Sequence, residues 1–301
     1  MTRDNMVFID WGTSKAAAYL VDGGGRILDS RTSQKGIKFV PAGGYPTAYE
    51  ELTQGWLDSS RFTLLSGMVG SANGWEEAPY IALPANPVSI ADRVYAMKSM
   101  PGVYICGGLC YTSPEGLHDV IRGEEVQILG LSVDEPGKKF LICMPGTHSK
   151  WLTMDHERID AFTTVMSGDF FAAVTTSTII AMMLQNNEQE FSDEAFLSGV
   201  KIAQGPGGVM SHMFRTRSSF LFKELDKKHI KAFASGVIIG SEIASMKELY
   251  PFDRTVEIIA SSELGANYAL ALKSLGAETR AHNAGDLSVK GMYLVAKHIK
   301  A

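Results

Sequence analysis

Two short stretches of the chain carry glycine, hydroxyl and lysine side chains in nearly the same order: Asp10-Trp11-Gly12-Thr13-Ser14-Lys15 and Pro145-Gly146-Thr147-His148-Ser149-Lys150. A tight turn of this make-up points backbone N–H groups and hydroxyls into one concavity. Such a nest binds anions, phosphate above all. Gly12 and Gly146 let a phosphate approach the main chain where a Cβ would stand in the way. Lys15 and Lys150 add positive charge, and Asp10 could hold a magnesium ion through water. Phosphoryl transfer is the chemistry such a pair of turns can serve. It needs in-line positioning, cations against the charge of the transferring group, and one base for the acceptor hydroxyl. Neither turn is a Walker-type loop. Gly205-Pro206-Gly207-Gly208 fits neither that loop nor a dinucleotide fingerprint, and reads as a helix stop with a turn.

Each turn needs strands to hold it. The apolar run Val7-Phe8-Ile9 leads into the first, and Ala16 to Val21 leads out. The turn Asp22-Gly23-Gly24-Gly25 and a third run from Arg26-Ile27-Leu28 follow. The middle of the chain repeats the scheme: Phe140 to Met144, the second turn, Trp151 to Met154, Asp155-His156-Glu157, then Arg158 to Phe162. Lys15 and Lys150 lie close to half of the 301 residues apart. The pair reads as two unrelated hairpins or as a duplicated domain, and a repeat is the first thing to look for in any fold. Duplication predicts domains of 1–137 and 138–301, joined at the turn-rich Asp134-Glu135-Pro136-Gly137, with the last helix free to pack back on the first domain.

Short buried strands are expected at 62–65, 103–106 and 256–260. Helical spacing is read from Val120 to Leu131, and about 169–184, 193–203, 229–248, 262–275 and 285–299. The layout is α/β.

Composition narrows the class further. A chain that is 45% hydrophobic and 20% charged, with a net charge of −5, is neither disordered nor fibrous. Its dispersed Lys and Arg give no footprint for nucleic acid or an anionic membrane. The longest apolar runs, such as Thr178 to Leu184, are far short of a spanning helix. Cys106, Cys110 and Cys143 are odd in number and lack metal-site spacing, which suits reduced thiols in a cytoplasmic protein.

A strand ending Asp-x-Gly-Thr, followed by a second Gly-Thr hairpin, resembles the sugar kinase, heat-shock chaperone and actin superfamily. Three strings are similar to the 2-dehydro-3-deoxygalactonokinase family in particular: Gly67 to Tyr80, Asp119 to Gly130, and Pro145 to Trp151. Thr163 to Phe170 and Ser235 to Glu242 continue the likeness, so it runs along essentially the whole chain. The resemblance implies two ribonuclease-H-like (actin-like ATPase) domains flanking a nucleotide and substrate cleft. It also implies ATP- and Mg²⁺-dependent phosphorylation of 2-dehydro-3-deoxy-D-galactonate at its 6-hydroxyl, in galactonate breakdown. A kinase for another sugar acid, or a non-catalytic ATP-binding sugar sensor, stays open beside it.

By this resemblance Asp119, at the head of the expected helix, is the base, with Glu124 in reserve, Glu125 behind it, and Lys15 assisting. Asp10 serves the metal, and Gly12, Thr13, Ser14, Gly146, Thr147, His148, Ser149 and Lys150 serve the phosphates. Gly236 and Gly240 fall near the adenosine. Trp75, Glu77, Tyr80, Arg122 and Glu124 face the sugar acid, where a guanidinium suits a carboxylate. Two departures stand out. The run Ala260-Ser261-Ser262 replaces the glycine-rich adenosine signature, and Asp169 stands where the family favours Glu.

Overall fold

In the computed structural model, which describes residues 4–260 and 262–300, Met6 to Ile9 are all buried within strand β1 (Asn5–Trp11). The antiparallel neighbours β2 (Ala16–Val21) and β3 (Ile27–Ser33) extend the sheet on one side. On the other side β4 (Ser60–Ser66) runs parallel to β1. Four shorter strands follow it in the chain: β5 (Ile81–Ala82), β6 (Tyr95–Ala96), β7 (Val103–Ile105) and β8 (Leu109–Thr112). A ninth, β9 (His118–Ile121), closes this part. The first sheet has the order β3-β2-β1-β4-β7-β6, with β4 and β7 parallel, and β5-β8-β9 form a small separate sheet.

The second half repeats the scheme with β10 (Lys139–Met144), β11 (Ser149–Asp155), β12 (Arg158–Val165), β13 (Val256–Ile259) and β14 (Thr279–His282). Their order is β12-β11-β10-β13-β14, with β13 parallel to both β10 and β14. In each sheet a three-strand meander puts its first strand next to two parallel strands, and in the first sheet the antiparallel β6 adds a further edge. This is the ribonuclease-H-like arrangement, present twice.

The chain divides into two compact units. One comprises the residues up to Lys139, Met154–Phe162 and the stretch from Asn283 onward. The other comprises Phe140–Thr153 and Thr163–His282. Neither unit is therefore a continuous half of the sequence.

In the first unit, the helix Glu124–Asp134 packs against the C-terminal helix Ala284–Ala296 through glycines. A Cβ on Gly291 would overlap the Val126 carbonyl oxygen, and one on Gly130 would overlap that of Leu287. In the second unit, the helices Asp193–Ala203 and Ile230–Leu249 meet in the same way. Among the described residues no helix is long and apolar enough to cross a membrane.

Local backbone signals account for the departures from expectation. Residues 118–121 form β9 rather than the start of a helix, because Gly123 (φ +100°) reverses the chain before Glu124. The helix expected over 169–184 is two, Ser167–Ser177 and Ile179–Leu184, broken at the extended Thr178, whose hydroxyl caps the Ile180 amide. Past the turn at Gly205 to Gly208, Gly207 (φ +123°) leads into a further helix, Gly208–Leu221.

Candidate functional site

In the first unit, β1 and β4 end side by side at Asp10 and Ser66. Carboxyl ends of parallel strands are where open α/β sheets take ligands. The turn after β1 closes through Gly12 N–H to the Lys15 carbonyl at 2.9 Å. It is pinned from one side by the amides of Gly36, Ile37 and Lys38, which donate to the carbonyls of Ser14, Gly12 and Thr13. Thr13, Ser14 and Lys15 are left exposed.

Asp10 beside this turn is half-buried and accepts a hydrogen bond from Ser288 Oγ at 2.8 Å. Burial raises its pKa; hydrogen bonds from Ser288 and Gln127 work against that, and the negative charge of Glu124 adds to it. Gly67 (φ +94°) and Gly123 press together at the same mouth. A Cβ on Gly67 would stand 2.8 Å from the Trp11 carbonyl and 3.3 Å from Asp10 Oδ1.

The helix Glu124–Asp134 starts here with two carboxylates. Glu124 accepts the Arg122 amide at 2.9 Å. Glu125 is fully buried and accepts the Gly123 amide at 2.6 Å and Ser66 Oγ at 3.1 Å. Burial pushes its pKa up to about 8, and the charge of Glu124 contributes. Asp119 is placed otherwise than the sequence led us to expect. It lies in β9 opposite Tyr111, no helix begins at it, and its Oδ1 accepts the Val120 amide at 2.7 Å.

Arg122 is nine-tenths buried. Its Nη2 donates to the Ala78 carbonyl at 2.8 Å, and the Tyr80 ring lies 4.3 Å from its Cζ. Trp75 stacks on Tyr45 with ring centroids 5.9 Å apart and meets Trp11 edge-on, so its rings are engaged in an aromatic cluster of the core. Glu77 is exposed. Its neighbour Glu76, which sequence reasoning passed over, fixes this loop by accepting the amides of Lys98 and Ser99.

In the second unit, the turn after β10 sits on the first turn of the helix Ser167–Ser177. The Asp169 amide donates to the Thr147 carbonyl at 3.0 Å, and a Cβ on Gly168 would come within 2.6 Å of Thr147 Cα. His148 Nε2 lies 2.7 Å from Asp169 Oδ2, so Asp169 has a partner on the turn itself.

Ser149 is buried and shares a hydrogen bond with the Tyr268 hydroxyl at 2.9 Å, which occupies its side chain inside the fold. Beneath it Glu242 accepts Trp151 Nε1 and the Tyr268 hydroxyl, both at 2.6 Å, and the Ser167 hydroxyl. Burial raises the Glu242 pKa while these donors oppose the rise. Lys150 is half-buried.

A cavity of about 390 Å³ opens beside this turn, lined by Gly146, Gly168, Lys231, Ser235, Glu263 and Asn267 among others. Its size suits a small organic ligand. Gly236 and Gly240, expected near the adenosine, are not among the residues that line it. A Cβ on Gly236 would overlap the Phe196 carbonyl oxygen, and one on Gly240 would stand 2.9 Å from Val200 Cα, so both serve helix packing. Ser261 lies outside the described residues. Gly168 and Glu242 were missed as individual residues, although both fall within strings that carry the family likeness.

Two ribonuclease-H-like sheets, each with a Gly-Thr turn after its first strand, define the actin-like ATPase fold of the sugar kinases. The model of the 2-keto-3-deoxy-galactonokinase family matches residues 10–295, and the chain belongs to that family: it is a sugar-acid kinase. It is 31% identical over 275 residues to the 2-dehydro-3-deoxygalactonokinase of Escherichia coli strain K12, covering 91% of each chain. A solved structure from Sinorhizobium meliloti, provisionally designated a 2-dehydro-3-deoxygalactonokinase, superposes with a TM-score of 0.88 at 29% identity. That match covers 98% of this chain and 99% of the other. Component A of (R)-2-hydroxyglutaryl-CoA dehydratase from Acidaminococcus fermentans, at a TM-score of 0.52 and 10% identity over 99% and 100% of the chains, shares the fold.

Proposed function

We propose that this enzyme transfers the γ-phosphoryl group of ATP to the 6-hydroxyl of 2-dehydro-3-deoxy-D-galactonate, in galactonate breakdown. The observation that carries this reading is the family match over residues 10–295, joined by a relative named for that activity. The exposed turn Gly12 to Lys15, with Lys15 supplying charge, and the turn Gly146 to Lys150 offer the donors that phosphates need. Gly168 supports the reading for the second turn, since a Cβ there would push into the Thr147 backbone. The cavity beside that turn has the size to take the nucleoside.

Among the described residues no cluster of three or more His, Cys, Asp or Glu stands ready as a metal cage. Mg²⁺ needs none, since it is commonly held by one or two carboxylates plus phosphate oxygens and water. Asp10 fits that role, being a half-buried carboxylate whose raised pKa a nearby cation would bring down. When bound, Mg²⁺ offsets charge on the phosphates.

The remaining task is to take the proton from the acceptor hydroxyl. Of Asp119 and Glu124, the geometry favours Glu124: it opens a helix at the mouth formed by Gly67 and Gly123, and Asp10 feels its charge. Trp75, with its rings committed to packing, bears on the sugar acid only through the loop it holds. Glu77, Tyr80 and Arg122 remain the nearer candidates.

A coupled ADP-release assay over a panel of keto-deoxy sugar acids tests the reading, with the phosphorylated carbon located by ³¹P–¹H correlation. Turnover of 2-dehydro-3-deoxygalactonate at the 6-position is expected. Glu124→Gln is expected to lose about 10²–10⁴-fold in kcat with nucleotide binding retained. Turnover confined to a different sugar acid overturns the substrate, absence of turnover on every acid favours a sensor, and an unimpaired Glu124→Gln removes the base from this residue.

A further inference from the structure

Arg122 is an anomaly in the first unit. A guanidinium carries five N–H donors and keeps its charge at any physiological pH. Burying it without partners is costly. Here Nη2 gives one hydrogen to the Ala78 carbonyl, whereas Nε and Nη1 are closed off from solvent and meet no acceptor among the described residues.

The surroundings are shaped by small residues. A Cβ on Gly70 would stand 3.0 Å from Nη1, and one on Gly108 would lie 3.0 Å from Arg122 Cβ and 2.8 Å from the Tyr80 ring. Of the two carboxyls that open the following helix, Glu125 spends its oxygens on Ser66 and the Gly123 amide. Glu124 gives its Oε2 to the Arg122 backbone rather than to the guanidinium. One face of the guanidinium lies against the ring of Tyr80, which is itself 43% exposed.

From this we infer that Arg122 reads the carboxylate of the acceptor sugar acid, with the Tyr80 ring as its movable cover. Nη2 retains a second N–H beside the one given to Ala78, so a carboxylate can engage an edge that includes one of the unpartnered nitrogens. Carboxylate and guanidinium match in such paired bonds, which neutral hydroxyls cannot reproduce. Ring displacement breaks a face contact but no hydrogen bond from Tyr80, because none ties that ring to Arg122. The site thereby selects acids over neutral sugars of the same shape. A site built around a buried donor rejects a ligand that leaves it unpaired far more strongly than an apolar pocket rejects a misfit.

The inference deepens the proposed function and rests on it for the identity of the acid, but not for the charge preference. The test measures kcat/KM for a sugar acid and for its neutral primary amide, with wild type, Arg122→Gln and Arg122→Lys. Wild type is expected to prefer the acid by about a hundredfold or more. Arg122→Gln is expected to lose most of that preference through a raised KM for the acid, with the KM for ATP unmoved, and Arg122→Lys to restore part of it. An acid preference that survives in Arg122→Gln, or a wild type indifferent to the charge, overturns the inference. Should Arg122→Gln not fold, an Arg122→Lys that keeps the full acid preference and acid KM has the same force, since lysine cannot rebuild paired bonds. If the turned-over acid is not 2-dehydro-3-deoxygalactonate, the substrate reading fails while the acid-to-amide ratio still decides the role of Arg122.

Discussion

Glu125 sets a term in stability that can be measured apart from activity. Its carboxyl, buried and raised to about 8, holds a proton in the folded protein at pH values where the unfolded chain has released it. Between the ordinary glutamate pKa and about 8 the folded state therefore binds the extra proton, and stability falls as pH rises. The slope is about 1.4 kcal/mol per pH unit at its steepest. Chemical denaturation from pH 5 to pH 8.5 is expected to show this decline, and Glu125→Gln, which keeps an uncharged group at the same place, to flatten it. Parallel pH profiles for the two proteins would show that Glu125 titrates normally. Asp10 and Glu242, raised by burial as well, contribute in the same direction and leave a residual slope in the variant. The sequence made Asp10 and the two turns visible because their signal is local: an apolar run, then Gly-Thr. It left the burial of Glu125 and Glu242 unread, because nothing in a Glu-Glu pair or a helical Ser-Glu says which carboxyl will be buried, and burial is what defines both.

At the scale of elements, the hairpin repeat was legible while the start of the helix at Glu124 was not. Strand alternation and Asp-led turns persist through both hairpins, so β1 to β3 and β10 to β12 follow from pattern. His118-Asp119-Val120-Ile121 also alternates, but it runs straight into helical spacing. Only the positive φ at Gly123, invisible to periodicity, separates strand from helix. A similar ambiguity affected Gly236 and Gly240: glycine on a helix signals close approach without naming what approaches. The answer is the helix Asp193–Ala203, and it has a measurable consequence. Alanine improves helix propensity by about 1 kcal/mol over glycine, yet Gly236→Ala drives a Cβ into the Phe196 carbonyl, a backbone atom that cannot step aside alone. Overpacking of this kind typically costs about 1–3 kcal/mol. The urea midpoint of Gly236→Ala is expected to fall, whereas Ser245→Ala on the exposed side of the same helix should leave it nearly unchanged. A Gly236→Ala protein as stable as wild type would mean that the two helices separate more easily than their geometry implies.

At the scale of the whole molecule, the feature least legible in sequence is that the first unit is assembled from three separate stretches of chain. Patterns within a window of residues cannot reveal that Met154–Phe162 and the stretch from Asn283 belong with the N-terminal sheet, because the information lies in which apolar faces match after folding. The C-terminal helix carries the larger share of that assembly. Leu287, Val289, Met292 and Val295 are all buried, Gly291 lets it close on Val126, and Ser288 reaches Asp10. Each fully buried side chain of this kind is worth about 1.5–3 kcal/mol. Four of them approach the whole stability of a typical protein, about 5–15 kcal/mol. A chain ending at His282 is thus expected to leave the first unit unfolded although most of its sequence remains. The second unit, whose chain is intact, is expected to persist. Limited proteolysis of the truncated protein should then digest residues before Lys139 quickly and spare a fragment within 140–282, with kinase activity lost. If the truncated chain instead resists protease throughout and still turns over substrate, the helix is a covering element and the first unit is complete without it.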